Sequence, residues 1–411
     1  MRRRLGRCSA IGDRRSAIGD RRSPTNGSPL ESGRPGRKSL WIPSLRNDRI
    51  SHVTDPTDSK GNHLPLWVFS LTEADLMNCT SYLDLHRQFS REIDAEIETA
   101  LERLEPHASS TRNSVAKLLE HRKLRHPLSV LPLLTHGIET GDPRPAMPLS
   151  AVHLLCWTSA CYLDDLADAN GARIWGELTE NEALLASVVT GNALPIRIVL
   201  DQKVPESARS ALVTEILNGW TIGVDGQIGD MRGEVGKASR ASVIQTYRGK
   251  SGAPFAMITA MAAILSGTTA KRVELWREFG YTFGILWQLF NDQEDIRSGR
   301  DEDLLNGTVT YLLASVLEDA PIGTRERILG LSAVAGRSAA ARVELASLLR
   351  TPVTLGRYQA EIDGFRAEAH RILDELGGDQ AYSAVLRHLV DHASQMLLEA
   401  DFLPVAARNA A

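Results

Sequence analysis

The sequence predicts an all-α protein: one large helical bundle around a central cavity, preceded by a tail that takes no part in the fold. Three observations carry this. From residue 71 onward, apolar residues recur at helical spacing and nowhere alternate as a half-buried strand would. Only 5% of residues are aromatic, and many helical stretches are alanine-rich, which suits close packing of helix on helix. The 411 residues, 43% of them hydrophobic, can also supply a sizeable core.

The tail comes first. Residues 1–65 include a tandem repeat, Ser9-Ala10-Ile11-Gly12-Asp13-Arg14-Arg15 and Ser16-Ala17-Ile18-Gly19-Asp20-Arg21-Arg22. Arginine, glycine, serine and proline dominate it and core residues are scarce. The expectation is a disordered basic tail, with the folded domain over 66–411. Asp13 and Asp20 break the acid-free pattern of a transit peptide.

Phe89, Ile93, Ile97, Leu101 and Leu104 share one face of a first long helix, which Pro106 ends. A second helix is expected over Ser114–Leu124, and Pro127 and Pro132 start or kink the third. Gly141, Pro143, Pro145 and Pro148 make Gly137–Ser150 a loop, after which Met147 or Pro148 opens the next helix. Further helices are expected near Glu180–Val199, Glu206–Asp225, Ala241–Ser266 and Lys271–Ile296. Arg297–Gly307 reads as a polar loop, and C-terminal helices continue to about Glu399.

Composition excludes several classes. A net charge of −4 argues against a nucleic-acid partner. No uninterrupted apolar run of about twenty residues is present, so no membrane span is expected. Cys8, Cys79, Cys156 and Cys161 have no CxxC spacing. Cys156 and Cys161 lie in an apolar helix and read as buried thiols, and a cytoplasmic protein is expected. Walker A, HExxH and G-x-S-x-G patterns are absent. Gly226-Gln227-Ile228-Gly229 lies in helical pattern with no strand ahead of it, so it is not a dinucleotide fingerprint.

The chemistry concentrates in two acidic clusters, Asp164-Asp165-Leu166-Ala167-Asp168 and Asn291-Asp292-Gln293-Glu294-Asp295. In each, polar residues at i, i+1 and i+4 share a helix face. A single such face is ordinarily a solvated surface. Here each follows an apolar stretch, Leu154–Leu163 and Phe283–Phe290, so the carboxylates sit at the ends of buried helices, where they repel one another and lose hydration. A hard divalent cation removes that penalty, and Mg²⁺ shares its shell with phosphates. Two facing clusters would hold a diphosphate through several Mg²⁺ ions.

From about Phe89 to about Val390 the chain resembles the trans-isoprenyl diphosphate synthases, or polyprenyl synthetases, of the class I isoprenoid synthase superfamily. Arg122-Lys123-Leu124-Arg125 is similar to that family's basic motif, Gly-Lys-Arg-Leu-Arg-Pro. Asp164, Asp165 and Asp168 match the first aspartate-rich motif, and Gly226-Gln227-Ile228-Gly229-Asp230 matches Gly-Gln-x-x-Asp. Lys250-Ser251 matches Lys-Thr, and the run from Gln288 to Asp295 matches the second aspartate-rich motif. Each is weak alone; five in family order are specific.

The resemblance implies an isoprenoid-synthase bundle and a Mg²⁺-dependent prenyltransferase acting on an allylic isoprenoid diphosphate. Isopentenyl diphosphate is the default acceptor, and homodimers are usual. Carried over residue by residue, Asp164, Asp165, Asp168, Asn291, Asp292 and Asp295 would be metal ligands. Lys250, Arg173, Gln227 and Gln288 would hold the allylic diphosphate, and Arg122 and Arg125 the acceptor. Ser159 and Ala160, about one turn before Asp164, would point down the prenyl cavity.

The acceptor half departs from the family pattern. Trp157 stands where a polar contact is usual, Ile174 replaces the second arginine after the first acidic motif, and Thr308 replaces a lysine. These changes keep open a terpene synthase of the same fold, cyclising one C15–C20 diphosphate with Trp157 as a cation-stabilising wall. A non-catalytic regulatory paralogue is the third reading, opposed by the retained acidic residues.

Overall fold

The computed structural model describes residues 81–104, 107–121, 127–167 and 178–400. The calls on the basic tail and on Arg122, Arg125, Asp168, Arg173 and Ile174 fall outside these residues, as does the side chain of Asp165.

The described residues form an all-α bundle, as the sequence predicts. Its helices are α1 (Tyr82–Glu102), α2 (Ser109–His121), α3 (Leu131–Thr140), α4 (Met147–Ala167), α5 (Glu180–Val188), α6 (Leu194–Leu200), α7 (Glu206–Met231), α8 (Arg240–Tyr247) and α9 (Ala253–Leu265). Then follow α10 (Ala270–Arg297), α11 (Glu302–Asn306), α12 (Tyr311–Asp319), α13 (Ile322–Ala335), α14 (Ala339–Leu349), α15 (Pro352–Leu376) and α16 (Gln380–Ala393).

Local chemistry sets the boundaries. Ser81 caps α1 by accepting from the Asp84 amide at 3.2 Å, and the Ile93 and Ile97 face is buried. Thr179 and Glu182 form a reciprocal capping box on α5. Gly141 ends α3 in the left-handed region at φ 78°. The expected 137–150 loop is shorter than read, because α3 runs on to Thr140 and Arg144–Ala146 forms a 3₁₀ turn.

Three boundary differences matter for the site. α7 continues past Asp225 to Met231, which puts Gln227 and Asp230 on helix. The helix read at 241–266 is interrupted by a π-type turn at Arg248–Gly252. The loop after α10 contains α11, which carries Asp303. In addition, the last helix ends at Ala393, and residues 395–400 run on without helix.

α9 is the centre, buried continuously from Phe255 to Ala263. α10 lies against it where neither backbone carries bulk. A Cβ on Gly280 would stand 2.4 Å from Ala256 Cα, and one on Gly284 would stand 2.6 Å from Gly252 Cα. By length and overall composition, Arg144–Asp164 and Glu180–Leu200 are apolar enough to cross a membrane. The most apolar window of the first is 78% buried inside the bundle, as befits a core helix; that of the second is 50% buried.

Candidate active site

The ends of four elements meet at one cleft. α4 brings Asp164, α7 brings Gln227 and Asp230, the π-type turn brings Lys250 and Ser251, and α10 brings Gln288, Asn291, Asp292 and Asp295. A wider turn at 248–252 lets the backbone pass close to α7: Gly226 and Gly249 touch chain to chain, and a Cβ on Gly226 would stand 2.2 Å from Lys250 N.

One bank is an ion-pair cluster. Lys250 Nζ lies 3.0 Å from Asp164 Oδ1 and 2.8 Å from Asp230 Oδ2, and Gln227 Nε2 donates to Asp164 Oδ1 at 2.7 Å. The other bank is a hydrogen-bonded chain. Ser251 Oγ donates to Gln288 Oε1 at 2.5 Å, and Gln288 Nε2 donates to Asp292 Oδ1 at 2.8 Å. Tyr247 OH donates to the other Asp292 oxygen and accepts from Tyr311 N at 2.9 Å. Asp295 accepts from the Glu302 and Asp303 amides, each at 3.1 Å, which ties α10 to α11.

Among the described residues, acidic groups outnumber basic ones on this cleft. Burial would lower the Lys250 pKa, but Asp164 and Asp230 outweigh it and hold the ammonium charged. Burial pushes the Asp292 carboxyl up to about 7; its bonds from Tyr247 and Gln288 oppose that rise, and Asp230 and Asp295 reinforce it. Asp303 is raised well above the usual carboxylate range by burial and by Asp292 and Asp295. Asp295 is raised by burial, against its two backbone bonds. Among the described residues Arg300 is a further cation lining the cleft, with Nε 3.7 Å from Asp295 Oδ1.

The donors fit a hard divalent ion. Asp164, Asp230, Asn291, Asp292, Asp295 and Asp303 offer oxygen ligands, and burial first, then neighbouring carboxylates, penalises ionised Asp292 and Asp303, a cost that a cation would relieve. Among the described residues no three acidic side chains form a ready cage. Mg²⁺ sites commonly use one or two carboxylates and complete the shell with water and substrate phosphate.

The acidic cleft, about 730 Å³, shares Asp164 and Lys250 with a second pocket of about 850 Å³, each counted with its open mouth. This pocket is lined chiefly by apolar groups: Trp157, Ala160, Cys161 and Leu163 from α4, Trp220 and Val224 from α7, and Met257 from α9. His153, Trp157, Ala160 and Asp164 follow one another along a single face of α4, so the pocket descends about 16 Å from the mouth. Trp157 meets Phe255 at 5.5 Å between centroids, and His153 meets Phe255 at 5.7 Å. Burial pulls the His153 pKa down to about 4 and pushes the Cys156 thiol up to about 12, so both are neutral walls.

The structure therefore brings together Asp164, Gln227, Lys250, Gln288, Asn291, Asp292 and Asp295, and sets Trp157 and Ala160 in the adjoining pocket. Ser159 departs from its expected orientation. Its hydroxyl turns to α5, donating to Ser187 O at 2.9 Å, and its side chain is fully buried there. Ala160 is thus the pocket residue of the pair, and Ala160→Phe is expected to shorten the apolar chain that the pocket accepts. Product chain lengths check this; an unchanged profile would mean that the pocket does not hold the chain.

Sequence reasoning assigned no role to Asp230, although it ends the Gly-Gln-x-x-Asp motif. It also passed over Tyr247, Arg300 and Asp303. The last two lie in the segment read as a polar loop, where nothing in the pattern signals that α11 folds back under α10.

Comparisons with known proteins bear on the family and the fold. The sequence pattern of the polyprenyl synthetase family matches residues 130–351. A short chain isoprenyl diphosphate synthase from Methanothermobacter thermautotrophicus is 23% identical over 265 residues, which is 61% of this chain and 79% of that protein. In fold, the chain is similar to geranylgeranyl pyrophosphate synthetase from Pyrococcus horikoshii, with TM-score 0.65 and 18% identity over 77% of this chain and 98% of that one. It is also similar to a polyprenyl synthase from Caulobacter crescentus complexed with calcium and isoprenyl diphosphate, with TM-score 0.62 and 16% identity over 77% and 98%.

Proposed function

The chain belongs to the polyprenyl synthetase family, and from that premise we propose a magnesium-dependent prenyltransferase that ionises an allylic isoprenoid diphosphate and joins the prenyl group to isopentenyl diphosphate, with release of pyrophosphate and of one acceptor proton. The observation that carries the reading is the junction at Asp164 and Lys250, where an acidic cleft opens onto a deep apolar pocket. A diphosphate at the mouth and a hydrocarbon tail below it are the two ends of such a substrate.

Asp164, Asn291, Asp292 and Asp295 would hold the metal, joined by Asp165 and Asp168 on the family resemblance. When bound, magnesium neutralises the diphosphate and makes it a better leaving group. Gln227 and Gln288 orient Asp164 and Asp292 through their amides. Lys250 and Arg300 place positive charge where the pyrophosphate departs with the bonding electrons. Trp157, Ala160 and Leu163 keep water from the allylic cation left behind.

One observation favours a second reading, a terpene synthase of the same fold. Trp157 packs against Phe255 inside the pocket, at the position where the resembling family keeps a polar acceptor contact, and an aromatic face stabilises an internal cation. Product analysis separates the two. Protein with Mg²⁺ and C10, C15 or C20 allylic diphosphates is expected to consume isopentenyl diphosphate and release longer diphosphates. Hydrocarbon or alcohol as the sole product, with isopentenyl diphosphate untouched, would replace transfer by cyclisation.

The proposed partner is a second copy of the chain. α7 exposes Leu217, Ile228 and Met231, spaced eleven and three residues apart along one seam. The buried thiols of Cys156 and Cys161, which are not joined in a disulfide, suit a reducing, cytoplasmic setting.

A further inference from the structure

Gln293 lies in the middle of the second acidic cluster, yet its side chain does not reach the cleft. It is fully buried on the opposite side of α10. There its Nε2 donates to Gln395 O at 3.2 Å, and its Oε1 accepts from Leu397 N at 2.8 Å. A side-chain amide offers a donor and an acceptor side by side, so it pairs with the C=O and N–H that flank residue 396 as a neighbouring β-strand would. Leucine could make neither bond, and a carboxylate could only accept.

Two more contacts pin the same turn from behind. Tyr358 OH, on α15, donates to Leu289 O at 2.8 Å, and His392, on α16, packs on Phe290 with centroids 5.2 Å apart. Leu398 is buried in the core just beyond the pair of bonds. The C-terminal segment is therefore seated against residues 289–293, while Asn291, Asp292 and Asp295 of the same two turns face the cleft.

We propose that Gln293 is a positioning residue: its amide clamps the Gln395–Leu397 strap to the back of α10 and so fixes the register of the metal-binding turn on the front. This rests on the reading of the cleft as a metal–diphosphate site. The clamp does not touch the reacting atoms; it acts through the orientation of Asp292 and Asp295, whose ligand geometry a rear tether holds.

The test uses the full chain with Gln293→Met, which keeps length and volume without the bonds, and Leu397→Pro, which deletes the N–H that Gln293 accepts. Each is expected to raise the Mg²⁺ concentration for half-maximal rate about tenfold. The pair together should do no more than either alone, because both break one clamp. Loss of thermal midpoint with unchanged Mg²⁺ half-saturation would overturn the proposal, and so would effects that multiply. A second readout needs no metal. Hydrogen exchange of backbone amides 289–297 in EDTA should accelerate in Gln293→Met, and unchanged exchange would overturn the clamp whatever ion the wild type requires. A wild type indifferent to Mg²⁺ but with accelerated exchange in Gln293→Met would sink the metal reading, and with it the clamp's effect on the metal, leaving only a structural tether.

Discussion

Asp292→Ala is expected to lower turnover at least about a hundredfold, the scale of a lost electrostatic contact in a transition state. Asp164→Ala should do the same from the opposite bank, and excess EDTA should match both in the wild type. Near-normal turnover in EDTA would dismiss the mechanism. Asp292 stands at the end of a hydrogen-bonded chain. Tyr247 and Gln288 each donate to one of its oxygens, and Ser251 holds Gln288 in turn. Removing the carboxylate leaves those donors buried and unpaired as well as removing a proposed metal ligand.

The same residue carries a prediction of opposite sign for stability. Folding raises the Asp292 pKa from 3.8 to about 7, chiefly through burial. A group raised in this way stabilises the fold fully below its unfolded value, and loses that contribution as pH climbs through the folded one. In metal-free protein at pH 8 the ionised carboxylate is a net liability. Asp292→Asn should therefore melt a few degrees higher than wild type in EDTA at pH 8, and the difference should shrink toward pH 5. Equal midpoints at pH 8 would show that neighbouring carboxyls take up the proton instead. The ligand that turnover needs is, on this account, one the empty fold would do without.

Much of this was legible in the chain itself. Helical spacing gave the α class, and i, i+1, i+4 spacing put Asp164 on one face and Asn291, Asp292 and Asp295 on another. Such patterns report which side of a helix a residue occupies, and that was enough to turn Asp164 and the α10 carboxylates toward one cleft. They do not report rotamer or neighbour. Ser159 and Ala160 are adjacent and both small, yet only Ala160 reaches the pocket, because Ser187 on α5 offers Ser159 a carbonyl. Nor does local pattern disclose a residue supplied by tertiary folding. Asp303 reaches the cleft through the backbone bonds of α11 to Asp295, and Gln293 turns its amide to a strap more than a hundred residues downstream. The π-type turn at 248–252 was equally hidden, since its sequence continues the helical pattern on both sides.

That turn makes Gly226 the most constrained backbone position in the site, and Gly226→Ala is expected to cost on the order of 3 kcal/mol in stability or more, with loss of turnover. The added Cβ would lie 2.2 Å from Lys250 N and 2.5 Å from Gly249 C, against backbone atoms that no rotamer change can move. The two chains would have to part by more than an ångström, and everything hung on them would move with them. Gln227 and Asp230 follow Gly226 on α7, and Lys250 follows Gly249 on the turn. Separation would stretch the 2.8 Å pair between Lys250 and Asp230 and the 3.0 Å pair between Lys250 and Asp164. Gly223 on the same helix supplies the control. A Cβ there meets nothing within 4 Å, so Gly223→Ala should instead stabilise by up to about 1 kcal/mol through helix propensity alone. Thermal midpoints of the two variants should therefore move in opposite directions, although both exchange a glycine for an alanine on one helix. If both rose, the chains would be freer to separate at Gly226 than their contact implies, and Lys250 would owe its position to its ion pairs rather than to the crossing beneath it.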